Sequence, residues 1–205
     1  MKEKPPTVFV VDDDEAVRTS LRLLLKSVGL QVETFSSAQE FLDQFDPDRA
    51  GSLVLDIRMP GVSGLELQQQ LNERHSIMPI VFITGHGDVP MAVEAMQAGA
   101  VDFIQKPFRD QDLIDRINRA LEKDKAMRGE LRERDEIRRR MGQLTPRERE
   151  VLELVTQGKA NKVIAGDLNV SQRTVEIHRA RVMEKMGAAS LAHLVRMVIE
   201  AQRES

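Results

Sequence analysis

The 205-residue chain contains no cysteine, no tryptophan and no tyrosine. Without cysteine it has no disulfide framework, no thiolate-ligated zinc and no thiol nucleophile. No apolar run approaches the ~18–20 residues that a membrane-spanning helix needs. Behind its charges the N-terminus, Met1-Lys2-Glu3-Lys4-Pro5-Pro6, lacks the apolar stretch of a secretory signal. A cytoplasmic location without membrane attachment is expected. The missing rings also count against single-stranded nucleic acid as a ligand, because such proteins stack bases on aromatic platforms worth about 1–3 kcal/mol each. The seven phenylalanines all lie at or before Phe108.

What is present divides in two. Residues 1–121 carry 19 acidic and 12 basic side chains, net −7, whereas residues 122–205 carry 14 acidic and 18 basic, net +4. Hydrophobic residues at 41 % are enough for packed cores, and 31 % charged residues suit a solvated surface. An acidic half holding every phenylalanine, joined to a basic half with none, reads as two domains with two tasks.

The first half alternates. Thr7-Val8-Phe9-Val10-Val11 is almost wholly apolar, as expected of a strand buried on both faces. Val17, Leu21, Leu24, Leu25 and Val28 then recur at helical spacing, and Gly29 supplies a stop. Residues 31–35, 52–57, 80–84 and 101–105 are further strands, and residues 37–45, 64–74, 90–98 and 110–124 further helices. Five such units predict a flavodoxin-like (βα)5 fold, a doubly wound parallel sheet with helices on both faces.

Sheets of this kind bind ligands at the carboxyl ends of their strands. The first run ends in Asp12-Asp13, the third in Asp56 and the fourth in Thr84, and Lys106-Pro107 follows the fifth. The second run, ending in Phe35-Ser36, offers nothing obvious. Three carboxylates on one rim raise one another's pKa unless a cation sits among them. Oxygen ligands without His or Cys favour Mg²⁺, which binds through one or two carboxylates, waters and phosphate oxygens. With Lys106 as a point charge for phosphate, a central carboxylate is suited to accepting a phosphoryl group, chemistry that is mostly positioning and charge neutralisation. The plain alternative is five ordinary strand-end polar residues.

These residues carry a resemblance. Val10-Val11-Asp12-Asp13, the run from Asp56 through Met59-Pro60-Gly61 to Gly64, Thr84-Gly85-His86-Gly87 and Lys106-Pro107-Phe108 resemble, in order and spacing over residues 7–121, the receiver domain of two-component response regulators. The resemblance implies that Asp56 is the phosphoacceptor, loaded from the phosphohistidine of a sensor histidine kinase. Asp12 and Asp13, with the main-chain carbonyl of Arg58, would hold Mg²⁺. Thr84 and Lys106 would contact the phosphoryl oxygens, Phe103 matches the switch aromatic, and the Lys106-Pro107 bond is usually cis. Asp14 is left out, since the ligand pair is the first two acids. Any catalysis is expected to be limited to self-catalysed phosphotransfer and autodephosphorylation.

Residues 122–142 form a linker. Of residues 122–143, 14 of 22 are charged and none is proline, which suits a solvated helix continuing the fifth receiver helix, with Gly129 a weak point. Arg138-Arg139-Arg140 is either a phosphate patch or a solvated face. The last domain, residues 143–205, opens with Thr145 as N-cap, Pro146 at N1 and Glu148 closing a capping box. Val151, Leu152 and Val155 line one helix face. A short helix over about 161–168, capped by Asn161, buries Val163, Ile164 and Leu168. After the turn Asn169-Val170-Ser171, a third helix with Val175, Val182 and Met186 inward runs to Gly187. A fourth carries Leu191, Leu194, Val195 and Val198. Short helix, tight turn and longer helix make a helix-turn-helix, which places its second helix in the DNA major groove.

On a helical wheel anchored at Val175, the opposite face holds Arg173, Glu176, Ile177, Ala180 and Arg181. Glu176 can accept from a cytosine amino group, and Ile177 or Ala180 can meet a thymine methyl. Lys162, Thr174 and Lys185 suit phosphates, His178 either meets phosphate or packs beside Thr174, and Arg179 falls nearer the core. The competing reading is a four-helix protein-interaction module.

The runs 144–152, 158–165 and 171–179 and the pair Lys185-Met186 resemble the LuxR-type helix-turn-helix. The whole chain is similar to FixJ-type transcriptional regulators. Glu176 is a departure in character, since many relatives carry a basic residue there. The resemblance implies double-stranded promoter DNA as a partner, RNA polymerase as a further candidate, and phosphorylation-driven homodimers through the 90–105 region, with Val93 and Gln97 in the contact. It also implies release of the DNA-binding domain from its own receiver. Two other functions remain open from the residues. One is a receiver with a protein-binding output. The other is a phosphatase attacking from Asp56, which would need an aspartate where Arg58 stands. Of the histidines, His75 and His193 read as ordinary surface or half-buried residues, and His86 lies near the rim.

Overall fold

The computed structural model describes residues 5–85 and 89–202, so His86 lies outside the described residues. Five strands, β1 (Thr7–Val11), β2 (Gln31–Phe35), β3 (Gly51–Asp56), β4 (Ile80–Thr84) and β5 (Asp102–Gln105), form one sheet in the order β2-β1-β3-β4-β5. Every neighbouring pair is parallel. Parallel strands need crossovers, and α1 (Glu15–Ser27), α2 (Ala38–Asp43), α3 (Gly64–Glu73) and α4 (Val89–Gln97) supply them. α5 (Asp110–Gly142) follows the last strand.

The period-two geometry of a strand sorts the core. Val8 and Val10 point to one face with Leu21, Leu25, Ile104, Leu113 and Ile117. Phe9 and Val11 point to the other with Phe35, Phe41, Leu55, Leu67 and Phe82. Burying side chains of this size stabilises by about 1.5–3 kcal/mol each. Phe9, Phe35, Phe41 and Phe45 pack as a chain of tilted and edge-on rings, and the Arg49 guanidinium lies 4.7 Å over Phe9. The phenylalanine-rich half therefore uses its rings as core. The expected stripe on α1 holds at Leu21 and Leu25, but Val28 is 48 % exposed because it forms the helix C-cap and swings off the helical wheel.

The chain divides into two compact units between Arg128 and Gly129, within α5. The reason lies at the amino-terminal edge of the sheet. Asp124, 1 % exposed, accepts from the Gly51 N–H at 2.9 Å and from Arg128 Nε at 2.9 and 3.0 Å. Arg128 in turn donates to the carbonyls of Pro47 (3.0 Å) and Arg49 (2.6 Å). Gly51 admits no side chain, since a Cβ there would lie 1.9 Å from the Thr7 carbonyl oxygen. This knot ties the helix to the start of β3 across more than 70 residues of sequence.

The second unit is helical: α6 (Pro146–Thr156), α7 (Asn161–Asp167), α8 (Gln172–Met186) and α9 (Leu191–Gln202). Its core joins Val151, Leu152, Val155, Ile164, Val175, Val182, Met186, Leu194 and Val198 to Ile137 of α5. Thr145 and Glu148 form the expected capping box. Arg138 Nε caps the carbonyl of Ala201 at the end of α9 (3.0 Å), and Arg140 Nη1 that of Met186 at the end of α8 (2.9 Å). Cations there satisfy orphan carbonyls and complement the helix dipole. Arg138 and Arg139 are exposed, as a solvated face expects, and Arg140 is half-buried, so the two capping arginines also serve helix ends. Asn161 does not cap α7. The N-cap is Ala160, with no side-chain bond, and the Asn161 carbonyl oxygen accepts from Arg179 Nη1 at 2.6 Å. A charge-assisted bond outcompetes the cap. Val163 and Leu191, expected inside, are 49 % and 41 % exposed, because short helices bury only the residues that face a neighbour.

Replacing Asp124 by Ala removes the acceptor of the Gly51 N–H and leaves the Arg128 Nε and its charge without their carboxylate. The first unit is expected to lose about 3–5 kcal/mol, read as a lower Tm in thermal unfolding by circular dichroism, with Asp124→Asn intermediate.

Candidate functional site

The strand order reverses direction between β1 and β3, and the crevice outside their carboxyl ends is where a doubly wound sheet receives a ligand. Asp12 follows β1 and Asp56 ends β3, so adjacent strands put two carboxylates side by side, at 2 % and 9 % exposure. Lys106 follows β5, two strand spacings or about 10 Å further along. Its long stem crosses that gap. Lys106 Nζ lies 2.9 Å from Asp56 Oδ1 and 3.1 Å from Asp12 Oδ2. The Lys106-Pro107 bond is cis.

Each carboxylate is also held from behind. Asp56 Oδ2 accepts from the Arg58 N–H at 2.8 Å, and Asp12 Oδ1 from the Asp14 N–H at 2.9 Å. Asp14 itself caps α1, accepting from the Ala16 N–H, which accounts for its exclusion from the acidic pair. Asp13 is exposed at the mouth. Gly64 opens α3 against the end of β3, where a Cβ would come within 2.3 Å of the Asp56 carbonyl oxygen. Thr84 is 3 % exposed, and its hydroxyl donates to the Ile104 carbonyl through a long 3.5 Å bond. Phe103 is half-buried against the phenylalanine-rich core and pairs in register with Phe82.

Electrostatics set the site apart from ordinary strand ends. Burial pushes the Asp56 carboxyl above its usual range, and Asp12 adds to the rise. The Lys106 hydrogen bond and charge and the Arg58 N–H oppose it without cancelling it. For Lys106, burial acts against the ammonium, but the hydrogen bonds and charges of Asp56 and Asp12 outweigh it and raise its pKa. Among the described residues no three His, Asp or Glu side chains are already gathered at metal-ligand spacing. Two buried carboxylates, a third at the rim and main-chain carbonyls form an all-oxygen donor set that fits Mg²⁺, which needs no complete protein cage.

The sequence reading missed Arg18. From the first turns of α1 its Nη1 donates to the carbonyls of both Asp12 (2.7 Å) and Asp13 (2.8 Å). The available signal was its position six residues after Asp12, because helical side chains lean back toward the helix N-terminus. β2 also contributes more than expected, as the Phe35 carbonyl accepts from the Asp12 N–H.

On the second unit, α7 and α8 form the helix-turn-helix. Ser171 caps α8 by accepting from the Thr174 N–H, and its hydroxyl also meets that of Thr174 at 2.8 Å. Arg173, Glu176, Ile177, Ala180 and Arg181 are exposed, as is Lys162 on α7, whereas Thr174 and His178 are half-buried. Arg173 and Glu176 form a loose 3.5 Å ion pair on the open face. His178 Nδ1 is buried without a hydrogen-bond partner among the described residues. Lys185 is already engaged: its Nζ lies 2.6 Å from the Glu148 carboxylate and 3.3 Å from the Gln143 carbonyl. Its side chain keeps 34 % exposure. No helix among the described residues is long and apolar enough to cross a membrane.

A doubly wound domain with a carboxylate–lysine crevice, accompanied by a helix-turn-helix, defines a signal receiver with a DNA-binding output. Comparison with known proteins agrees. Residues 8–118 match the response regulator receiver domain and residues 142–198 the luxR family of bacterial regulatory proteins. The chain is 50 % identical, over 98 % of its length and 95 % of the relative's, to the transcriptional regulatory protein FixJ of Azorhizobium caulinodans. It is 53 % identical to FixJ of Rhizobium meliloti, over 94 % and 95 %. A solved structure of the response regulator StyR, 48 % identical, superposes with a TM-score of 0.87 over 96 % of this chain and all of that one. The chain belongs to the two-component response regulators. It is a FixJ-type member, a transcription regulator with a receiver and a LuxR-type DNA-binding domain.

The Glu148 carboxyl is held down at about 2, chiefly by the hydrogen bond from Lys185 and then by the Thr145 N–H. A depressed acid stabilises the fold above its unfolded pKa, and that stability is lost as pH falls through the folded value. Thermal unfolding of the second unit is therefore expected to move down progressively between pH about 4.5 and about 2. Glu148→Gln, less stable at neutral pH, should show a flatter dependence in the same scans.

Proposed function

We propose that Asp56 is the phosphoacceptor and that its phosphorylation drives dimerisation and promoter binding. The observation that carries the reading is Lys106 Nζ held between Asp56 and Asp12 at the β1/β3 switch point. In the transfer, an Asp56 oxygen bonds to the phosphorus of a sensor kinase's phosphohistidine. The P–N bond breaks, and the departing imidazole nitrogen keeps the electron pair. Asp12, Asp13, Asp56 and the main-chain carbonyl of Arg58 would hold Mg²⁺, which supplies charge neutralisation for the phosphoryl oxygens. Lys106 turns from bridging two carboxylates to pairing with a phosphoryl oxygen, and the Thr84 hydroxyl leaves the Ile104 carbonyl to donate to another.

The added charge, about −1.5 to −2, therefore draws Thr84 inward and leaves room behind it for Phe103. That repacking alters the face built from α4 and β5, where Val93 (48 % exposed) and Gln97 stand free to meet a second copy. Pairing two output domains on adjacent half-sites raises avidity without any new DNA contact. On the DNA, Arg173, Glu176, Ile177, Ala180 and Arg181 face the major groove, with Lys162 and Thr174 on phosphates. RNA polymerase is the proposed further partner once the dimer is bound.

Asp56→Asn is expected to abolish the mass gain of one phosphoryl group when the protein is incubated with acetyl phosphate and Mg²⁺. A mass gain persisting in that variant refutes the assignment. Arg181→Ala should weaken binding to promoter DNA by about 1–3 kcal/mol if it reads a base, or lower the salt dependence by about one unit of slope if it meets a phosphate, measured by fluorescence anisotropy across a salt series. Val93→Asp should keep the beryllofluoride-treated protein monomeric in size-exclusion chromatography.

A further inference from the structure

Arg18 spends its guanidinium on two consecutive main-chain carbonyls, and neither helix formation nor core packing explains why. It stands in the opening turns of α1, where the helix dipole disfavours a positive charge. It is half-buried, and it reaches backward to the carbonyls of Asp12 and Asp13 at 2.7 and 2.8 Å. Those two carbonyls belong to the peptide planes on either side of the Asp13 α-carbon. Pinning both planes fixes the Asp13 backbone dihedrals, and with them the direction in which its side chain leaves the loop. The same bonds hold Asp12 in place, whose carboxylate is then oriented at one oxygen by the Asp14 N–H and at the other by Lys106. Glu40 on α2, whose carboxyl is held low first by hydrogen bonds from Ser36, lies close enough for the Arg18 charge to assist.

From this geometry we infer that Arg18 is a positioning residue for the Mg²⁺-dependent phosphorylation of Asp56: it holds the Asp12–Asp13 backbone so that both carboxylates converge on the cation. The inference rests on the reading of Asp56 and its acid pair as the phosphorylation site. It makes a prediction whose sign separates positioning from electrostatics. A nearby positive charge repels Mg²⁺, so if charge were the whole effect, removing Arg18 would tighten Mg²⁺ binding. If the clamp is what matters, removing it lets the acid pair spread and binding weakens.

The test is an isothermal titration of the full-length chain with MgCl₂, alongside phosphorylation by acetyl phosphate followed by intact mass at varied Mg²⁺. Arg18→Met keeps the packing of the stem and removes the donors. It is expected to weaken Mg²⁺ binding about 10- to 100-fold, the range seen when groups that orient metal ligands are lost. The Mg²⁺ needed for half-maximal phosphorylation should rise in step, while the phosphorylation rate at saturating Mg²⁺ stays closer to that of the unmodified protein. Arg18→Lys, which can still donate to a carbonyl, should recover part of the affinity. Equal or tighter Mg²⁺ binding by Arg18→Met, with a melting curve showing that it folds, overturns the inference. Where Arg18→Met does not fold, Arg18→Lys is read alone, and undiminished affinity there overturns it. Absence of Mg²⁺ binding by the unmodified chain, or phosphorylation of Asp56→Asn, counts instead against the reading beneath it.

Discussion

One ammonium group between two buried carboxylates governs the receiver. Asp12 and Asp56 sit on adjacent parallel strands, so the sheet forces like charges together at nearly dry positions. Burial and mutual repulsion raise the Asp56 carboxyl, and Lys106 supplies the cation that makes the pair tolerable. The arrangement is costly as a static structure and useful as a chemical one. A carboxylate kept ionised at a cost in desolvation, beside a lysine and an all-oxygen donor set, suits the proposed acceptance of a tetrahedral anion whose charge the same groups can absorb.

The surrounding structure exists to hold that triad still. The Asp14 N–H and the Arg58 N–H each hold one carboxylate oxygen of the pair, and Gly64 lets α3 start directly against the end of β3. At the opposite edge of the sheet, Asp124 and Arg128 lash the start of β3 to α5. Both ends of β3, the strand that carries Asp56, are thereby anchored. In the second unit, Arg138 and Arg140 perform a comparable service by capping α9 and α8, and the Arg179–Asn161 bond joins α7 to the recognition helix α8.

Much of this was legible in the sequence because the signals were local. Alternating apolar runs and helical stripes placed all five strands and the helices between them. Thr145-Pro146 and Glu148 announced their capping box, and the strand-end positions of Asp12, Asp56 and Lys106 placed these three on one rim, where they meet. The misses share a cause. Val28, Val163 and Leu191 fit helical periodicity yet lie exposed, because periodicity says which face is apolar and not whether a neighbour covers it. Asn161 looked like a cap until Arg179, 18 residues away, took its oxygen. Lys185 showed no partner in the sequence, yet it pairs with Glu148, 37 residues back.

The division follows the range of the forces involved. Strand and helix propensities, caps and the order of chemistry-bearing residues act over a few positions, so a linear reading recovers them. Lys106 and Lys185 find carboxylates, Asp124, Arg138 and Arg140 find backbone groups, and Arg179 finds an amide oxygen, in distant segments, and the choice depends on which strands become neighbours and which helix ends are left with bare carbonyls. Only folding supplies that information, because a charged side chain goes to whichever desolvated opposite group the packed chain brings within its reach.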